Sequence, residues 1–382
     1  MKNEVPSTTG VEVYPGPSWL HYFQRVTSHG DHVREIDGLR FLALAGVYLL
    51  HLNHYLLINA PQLREAEHSL MTRSLEYGAF GVQLFFAISG FILALPFARH
   101  YLAGGRPVSM KAYYLRRLTR LEPPLIVNLA LLMMLMFFAL HRPLMELLQH
   151  TAATSVYLHS AIFGTASSIN PVTWSLEVEA QFYIAMPLLA KVFSIRSTLI
   201  RRGVIISAML VFSYFSRSYP HTFLPAQLAY FLIGFLMADF WFGEWREKLS
   251  PKRGFELFAI TSGLALCLLL FWHRQIPGSD VMMPLFLMAF FMTAINSHHV
   301  AAFLRHWIPV TLGGMCYTFY LYHIAVLSAL TRVTGKWITV DEQWLAYALQ
   351  FIVATPFVIA VSMVMFALVE RPFMIWRPKW AR

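Results

Sequence analysis

Long apolar stretches dominate this sequence and limit what it can fold into. Of its 382 residues, 57% are hydrophobic and only 13% are charged, whereas an ordinary soluble domain has about 25% charged residues. A water-soluble globule cannot hide so much apolar surface. The composition also excludes a disordered chain, a collagen, a coiled coil and a small disulfide scaffold. It therefore predicts an all-α protein that crosses a membrane several times.

Ten of these stretches approach the length of roughly 20 residues that a membrane-spanning helix needs. They cover residues 39–59, 79–98, 124–140, 180–194, 203–219, 223–242, 255–272, 281–297, 308–331 and 344–369. No repeat of fixed period relates them to one another. The predicted fold class is an all-α polytopic membrane protein with about ten transmembrane helices.

The basic residues indicate how the chain is oriented. The net charge is +10, which in a soluble protein would favour a nucleic-acid partner. If the N-terminus lies in the cytoplasm and each stretch crosses once, 22 of the 30 Lys and Arg residues fall in cytoplasmic segments and seven fall outside. Cytoplasmic loops of membrane proteins carry this excess of positive charge. We therefore predict that both termini are cytoplasmic, and we expect no nucleic-acid partner.

Polar segments flank the apolar region and suggest three parts. Residues 1–36 are predicted to be a polar cytoplasmic N-terminal extension, residues 37–373 a transmembrane domain, and residues 374–382 a short basic cytoplasmic tail. The polar N-terminal segment lacks the apolar core of a cleaved signal peptide. We therefore expect the first span to direct membrane insertion.

Ionisable residues in the first span are strong functional candidates, because such groups are costly in lipid and usually face protein or a water-filled cavity. Asp37 is predicted to cap the helix, with Arg40 in its first turn and His51 eleven residues further on. Eleven residues correspond to about 16 Å and about three turns. Arg40 at the cytoplasmic surface and His51 near mid-membrane would then share one face. The alternative is a snorkelling arginine and a packed, hydrogen-bonded histidine.

A metal site is an alternative for the first span, because His54 lies one turn after His51. No nearby carboxylate completes a set of ligands. The two cysteines, Cys267 and Cys316, lie in apolar stretches and indicate neither a disulfide framework nor a Cys-based metal site. We expect no metal.

Three arginines, Arg116, Arg117 and Arg120, lie close together in the loop predicted before the third stretch. One interpretation is an anchor that follows the positive-inside rule. The other is an anion site, because guanidinium groups present several donors in a geometry that suits phosphate oxygens.

A second polar cluster precedes the fourth stretch, at its predicted outer end, and contains Trp174, Ser175, Glu177 and Glu179. One interpretation is a helix capped by Ser175 with acidic residues in its first turn. Carboxylates beside aromatic rings also suit sugar binding or the orientation of a catalytic base. His323, in the ninth stretch, is a weaker candidate than His51.

Taken together, these residues resemble the acyltransferase-3 family of integral membrane acyltransferases. The matching motifs are Asp37-Gly38-Leu39-Arg40 with His51, Phe85-Phe86, Ser89-Gly90-Phe91, Arg117-x-x-Arg120, Trp174-Ser175-Leu176 with Glu179, Phe182-Tyr183, Tyr317-x-x-Tyr320-x-x-His323 and Glu370-Arg371-Pro372. They cover about residues 34–373. Gln83 departs from the family pattern, since many relatives carry an acidic residue there.

The resemblance implies transfer of an acyl group, often acetyl, from cytoplasmic acyl-CoA to a hydroxyl. The implied acceptors are cell-surface carbohydrates, lipid-linked glycans or small natural products, and the implied location is the inner or plasma membrane, in contact with lipid. It also implies essential roles for Arg40, His51, Arg117 and Arg120.

A mechanism follows from the resemblance as a hypothesis. His51 takes the proton of the acceptor hydroxyl, or it carries the acyl group itself; the sequence leaves both open. The three clustered arginines would bind the CoA phosphates, and Arg40 would bind the pantetheine end or a phosphate. The remaining candidates would bind the acceptor or assist the base; they are Trp174, Ser175, Glu177, Glu179 and His323. The rival classes are a transporter or flippase of a lipid-linked sugar, which often shows internal repeats, and a structural scaffold.

Overall fold

The computed structural model describes residues 17–23, 33–243, 253–272, 275–338 and 342–375. All regular structure in these segments is helical, which confirms the predicted all-α class. The α-helices in chain order are α1 (Arg34–Asn59), α2 (Leu70–Glu76), α3 (Gly81–Ala103), α4 (Met110–Leu140), α5 (Leu144–Ser155), α6 (His159–Phe163), α7 (Trp174–Leu189), α8 (Thr198–Tyr214), α9 (Leu224–Phe242), α10 (Arg253–Trp272), α11 (Ser279–Ala294), α12 (His299–Leu304), α13 (Trp307–Gly314), α14 (Cys316–Thr334), α15 (Gln343–Met365) and α16 (Arg371–Ile375).

Several of these helices are suited to crossing a membrane, which makes this a multi-pass membrane protein. By length and composition, six described helical segments qualify, or seven if the bent pair α13 and α14 forms one span. They correspond to seven of the ten predicted stretches. The other three stretches hold α7, α8 and α11, which have only 16, 17 and 16 residues. At 1.5 Å per residue these helices extend about 24–26 Å, less than the roughly 30 Å of a bilayer core.

The predicted terminal parts lie mostly outside the described residues. Of the predicted extension 1–36, the structure describes a short 3-10 helix at Ser18–Phe23 and the residues from Val33 onward. Of the predicted tail 374–382, it describes only the first two residues.

The first helix begins earlier than predicted. Its N-terminal residue is Arg34, so Asp37 lies within the first turn and does not cap it. The extra turn is stabilised by tertiary contacts, because Ile36 is buried and Glu35 contacts Arg305 at 3.4 Å. These contacts replace the side-chain cap that the sequence pattern favoured.

Glycines let the helices at the centre of the bundle approach closely, as small residues often do in membranes. A Cβ atom on Gly90 of α3 would lie 2.1 Å from the Phe231 carbonyl oxygen of α9, and one on Gly234 would lie 2.0 Å from the Phe91 nitrogen. Similarly, Gly78 packs against Gly46 of α1. The absence of side chains at these glycines therefore lets the helix backbones come into direct contact.

A sharp bend separates α13 from α14. The two helices meet at Met315 at an angle of 76°. The bend directs the first turns of α14 towards the space between α3, α4 and α7, where a cavity forms.

Candidate active site

A cavity lies at the centre of the bundle, between α1, α3, α4, α7 and α14. It encloses about 830 Å³ of unfilled space, part of which is open to the outside. Both apolar and polar side chains line it. The polar ones include Arg40, Ser89, Arg117, Arg120, Ser175 and Glu179. The structure therefore brings together six residues that are far apart in sequence, five of them named as site candidates. We call this space the central cavity.

The arginine cluster lies on a helix and not in the predicted loop. Ser109 caps α4 ahead of the cluster, and no Gly or Pro interrupts the helix before Pro123. Residues three apart share a helix face, so Arg117 and Arg120 both line the central cavity, whereas Arg116 does not.

The guanidinium groups of Arg117 and Arg120 have unmet donors. Their Nε atoms are buried and have no hydrogen-bond partner within the described part of the chain. A buried donor without a partner is costly, and guanidinium groups bind phosphate oxygens well. This part of the cavity therefore suits an anionic ligand.

Arg40 is buried in the bundle and does not snorkel to an open surface. Its side chain lines the central cavity and pairs with Asp37, three residues earlier on α1. Only 8% of Arg40 and 1% of Asp37 is exposed. The carboxylate thus fixes the guanidinium at the cavity wall.

The cavity wall on α7 carries Glu179 and Ser175. Glu179 accepts a hydrogen bond from the Ser89 hydroxyl at 2.7 Å. The Ser175 hydroxyl lies 2.9 Å from that of Tyr320, which in turn donates to the Val172 carbonyl at 2.9 Å. The predicted capping role of Ser175 is wrong, because α7 already begins at Trp174 after a 3-10 turn.

Two other members of this cluster lie outside the central cavity. The Glu177 carboxylate is buried and accepts the Ser160 backbone N–H at 2.9 Å. Burial raises the pKa of Glu177, although this hydrogen bond opposes the increase. The Trp174 ring packs edge-on against Phe86, at 6.3 Å, and against His221, at 5.0 Å.

His51 and His323 form a pair. Nδ1 of His51 lies 2.8 Å from Nε2 of His323, and Nδ1 of His323 lies 2.8 Å from the Tyr320 carbonyl oxygen. A carbonyl oxygen only accepts, so His323 Nδ1 carries a proton and, in the neutral ring, Nε2 is an acceptor. His51 Nδ1–H then donates to it, which leaves the lone pair of His51 on Nε2.

Neither histidine lines the central cavity. Tyr320 connects the two places, because it lines the cavity and its ring lies 5.8 Å from that of His323. His54, the other member of the possible metal pair, is exposed. In the described residues, no group of three or more His, Cys, Asp and Glu side chains is arranged to hold a metal ion.

Sequence reasoning missed a buried amide pair that supports the cavity wall. Asn170 donates to Asn128 Oδ1 and to the Leu321 carbonyl, both at 2.9 Å, and Asn128 donates to the same carbonyl at 3.1 Å. These bonds attach the segment before α7 to α4 and α14. The available signal was Asn128 itself, a polar residue within the third apolar stretch.

The chain is similar to a known protein family and to several named proteins. The acyltransferase-3 family model, described as an acyltransferase domain, matches residues 33–367. Two Staphylococcus aureus proteins are similar: one from strain COL, provisionally named an O-acetyltransferase, is 24% identical over 334 residues, covering 78% of this chain and 51% of its own length. The other, O-acetyltransferase OatA from strain NCTC 8325 / PS 47, is 25% identical over 326 residues, covering 76% and 50%.

A third relative is Nodulation protein 10 of Rhizobium leguminosarum bv. viciae, 25% identical over 178 residues, which cover 42% of this chain and 45% of that protein. The chain spans about half the length of the Staphylococcus relatives it matches. No solved structure matches it. Because the family model covers most of the sequence, the chain belongs to the acyltransferase-3 family of membrane acyltransferases.

Proposed function

We propose that this protein is an O-acyltransferase that moves an acyl group, specifically acetyl, from cytoplasmic acyl-CoA to a hydroxyl of a carbohydrate or lipid-linked glycan. The observation that supports this most is the central cavity, where Arg40, Arg117 and Arg120 meet Glu179. The O-acetyltransferase names of the relatives support the choice of acetyl and hydroxyl. Acylation of a small natural product is the alternative within the same reaction.

The donor end of the site is assigned to the arginines. Arg117 and Arg120 would hold the CoA phosphates, because their buried Nε donors lack partners within the described chain. Arg40 would guide the pantetheine arm, held in place by Asp37. Arg116 lies on a different face of α4, outside the cavity lining, and would add only long-range positive charge.

The base is assigned to His51. Its Nε2 lone pair accepts the proton of the acceptor hydroxyl as that oxygen attacks the thioester carbonyl. The C–O bond forms, the C–S bond breaks, and the proton passes to the thiolate to give CoA-SH. His323 acts as the positioning residue, because its Nε2 accepts from His51 Nδ1–H and so selects the tautomer.

The reacting carbonyl must come close to His51 for this step. The proposal therefore has the thioester approach from the central cavity beside Tyr320, whose ring borders both the cavity and His323. In the covalent variant of the mechanism, His51 Nε2 attacks the thioester first and the acceptor then takes the acyl group from it.

The His51 assignment is tested by His51→Ala with His54→Ala as the matched control, since His54 is exposed one turn away. Purified protein is mixed with labelled acetyl-CoA and cell-envelope material from a strain that lacks the gene. We expect His51→Ala to lower transfer about 10²–10⁴-fold and His54→Ala to leave it unchanged. A wild-type rate of acetyl transfer by His51→Ala would contradict the assignment. If Glu179→Gln lost activity while His51→Ala kept it, the base would be Glu179 instead.

The donor assignment is tested by Arg117→Ala with Arg120→Ala, compared with Arg116→Ala. Equilibrium binding of acetyl-CoA is measured. Each hydrogen bond to a charged group contributes about 1.5–3 kcal/mol, so we expect the double variant to bind more than 100-fold more weakly and Arg116→Ala to change little. Unchanged acetyl-CoA affinity in the double variant would contradict the donor assignment and favour the alternative, in which these arginines only orient the chain in the membrane.

The transporter alternative makes a different prediction for the same mixture. An enzyme consumes thioester and releases CoA-SH, whereas a flippase of lipid-linked sugar leaves acetyl-CoA intact. Thioester consumption that depends on His51 would separate the two classes.

A further inference from the structure

A second cavity lies beside the central one, at the end of the bundle where α3 and α9 begin. It encloses about 590 Å³ of unfilled space, part of it open to the outside. Its lining residues come from α3, from the end of α8, from α9 and from the segment between α8 and α9. They include Gln83, Tyr219, His221, Gln227 and Tyr230. We call this space the outer cavity.

Two glutamines that line the outer cavity each have a side-chain oxygen without a hydrogen-bond donor in the described structure. Gln227 is only 6% exposed, and its Nε2 donates to the His221 carbonyl at 3.1 Å. Its Oε1 is buried without a partner in the described structure, and so is Oε1 of Gln83 on the neighbouring helix. Because buried acceptors need donors, an occupant that carries O–H groups would satisfy both.

The charges of the outer cavity favour a neutral occupant. Arg217 lines it, but its guanidinium is paired with Asp280 at 2.7 Å. This differs from the central cavity, where Arg117 and Arg120 keep unmet donors. The rings of Tyr219 and His221 are exposed while Gln227 is buried, so aromatic surface lies nearer the opening and the amide oxygens lie deeper.

The two cavities are adjacent. Val82 lines the central cavity and the next residue, Gln83, lines the outer one. Phe86 of the central cavity packs on Trp174, and Trp174 packs on His221 of the outer cavity. The rings of Phe86 and Trp174 therefore lie between the two spaces.

We propose that the outer cavity binds the hydroxyl-bearing acceptor, a neutral carbohydrate, and that the amide oxygens of Gln83 and Gln227 accept hydrogen bonds from its hydroxyls. This inference rests on the proposed function, because it assigns an acceptor site to that reaction. Trp174 separates this site from the donor cavity, and movement of its ring would let an acceptor hydroxyl reach the thioester.

Carbohydrate binding tests the site directly. Detergent-purified protein is applied to an array of defined neutral mono- and oligosaccharides, and the affinity for the best ligands is measured. We expect Gln83→Leu and Gln227→Leu each to weaken binding about tenfold, because each removes a hydrogen bond to a buried group. Gln149→Leu is the matched control, since Gln149 is exposed and lines neither cavity. Acetyl-CoA affinity should stay unchanged in all three.

A second variant separates loss of the site from misfolding. Ala226→Leu fills the outer cavity without altering either glutamine, and we expect it to weaken carbohydrate binding as well. Wild-type affinity in the Gln83, Gln227 and Ala226 variants would overturn the proposal, as would the absence of any carbohydrate ligand for the wild-type protein, which would mean that only water occupies the cavity.

The acetyl-transfer assay distinguishes failure of this inference from failure of the proposed function. If carbohydrate binding depends on the two glutamines but no acetyl group is transferred, the outer site stands and the enzymatic proposal fails. If transfer depends on His51 but is the same in both glutamine variants, the enzymatic proposal stands and the outer site is wrong.

Discussion

Individual residues of one motif have different environments in this protein. Glu177 and Glu179 are two positions apart on α7, and such residues do not share a helix face. Glu179 lines the central cavity and binds Ser89, whereas Glu177 is buried against Ser160. The sequence identified both as candidates, because spacing alone does not show which face of a helix meets a cavity.

The environment of Glu177 leads to a prediction about stability and pH. Burial raises its pKa, so the folded state binds this proton more tightly than the unfolded state does. The resulting stability is present at low pH and is lost as the pH rises through the folded-state pKa. Glutamine is neutral at every pH, so Glu177→Gln should melt at the same or a higher temperature than wild type at pH 8, with a smaller difference at pH 5.

Thermal unfolding of the detergent-solubilised protein at the two pH values measures this difference. Acetyl transfer by Glu177→Gln should stay at the wild-type level, because the side chain lines neither cavity. A loss of transfer beyond tenfold, with unchanged melting, would instead make Glu177 the substrate-binding residue that the sequence pattern suggested.

At the scale of helices, most of the fold could be predicted from the sequence. Hydrophobic stretches located all the long helices that could span a membrane in the described residues. Helix starts were less predictable: α1 begins before Asp37 because Ile36 is buried, and α7 begins before Ser175 after a 3-10 turn. Tertiary contacts decided these boundaries, and they are not visible in local capping patterns.

The crossing of α3 and α9 predicts a large effect of a single methyl group. A Cβ on Gly234 would meet backbone atoms of α3 at 2.0 Å, and backbone cannot move aside as a flexible side chain can. We expect Gly234→Ala to destabilise the protein by about 1–3 kcal/mol or more, measured as a lower melting temperature in detergent.

Gly203→Ala is the matched control for this change. Gly203 lies in α8, and a Cβ there would have nothing within 4 Å. Replacing an exposed helical glycine by alanine usually stabilises by about 0.5–1 kcal/mol. Equal melting temperatures for the two variants would show that the α3–α9 contact is not tight.

For the molecule as a whole, the site depends on contacts between distant parts of the chain. His51 and His323 are 272 positions apart, and Asn128 and Asn170 meet at a carbonyl of α14. Sequence patterns proposed both histidines separately, but not that they touch, because helix-to-helix pairing depends on packing that no local pattern encodes. The same limit applies to the outer cavity, whose two glutamines lie on different helices.

The orientation of the whole bundle leads to the last prediction. A cytoplasmic donor and an outer acceptor require the segment before α4 to be inside and the segment after it to be outside. Alkaline phosphatase, which is active only outside, is fused after Gly105, Arg142, Arg196 or Ile375 in four separate gene fusions. If all ten predicted spans cross the membrane, we expect phosphatase activity only in the fusion after Arg142.

The short helices make the other two fusions informative. If α7 and α8 form a hairpin that does not cross, Arg196 is outside, the number of spans falls by two and the termini keep their sides. If α11 alone fails to cross, the fusion at Ile375 becomes active and the prediction that both termini are cytoplasmic is wrong. Phosphatase activity in the Gly105 fusion with none in the Arg142 fusion would contradict the proposed donor site itself, because Arg117 and Arg120 would then lie on the side away from cytoplasmic acyl-CoA.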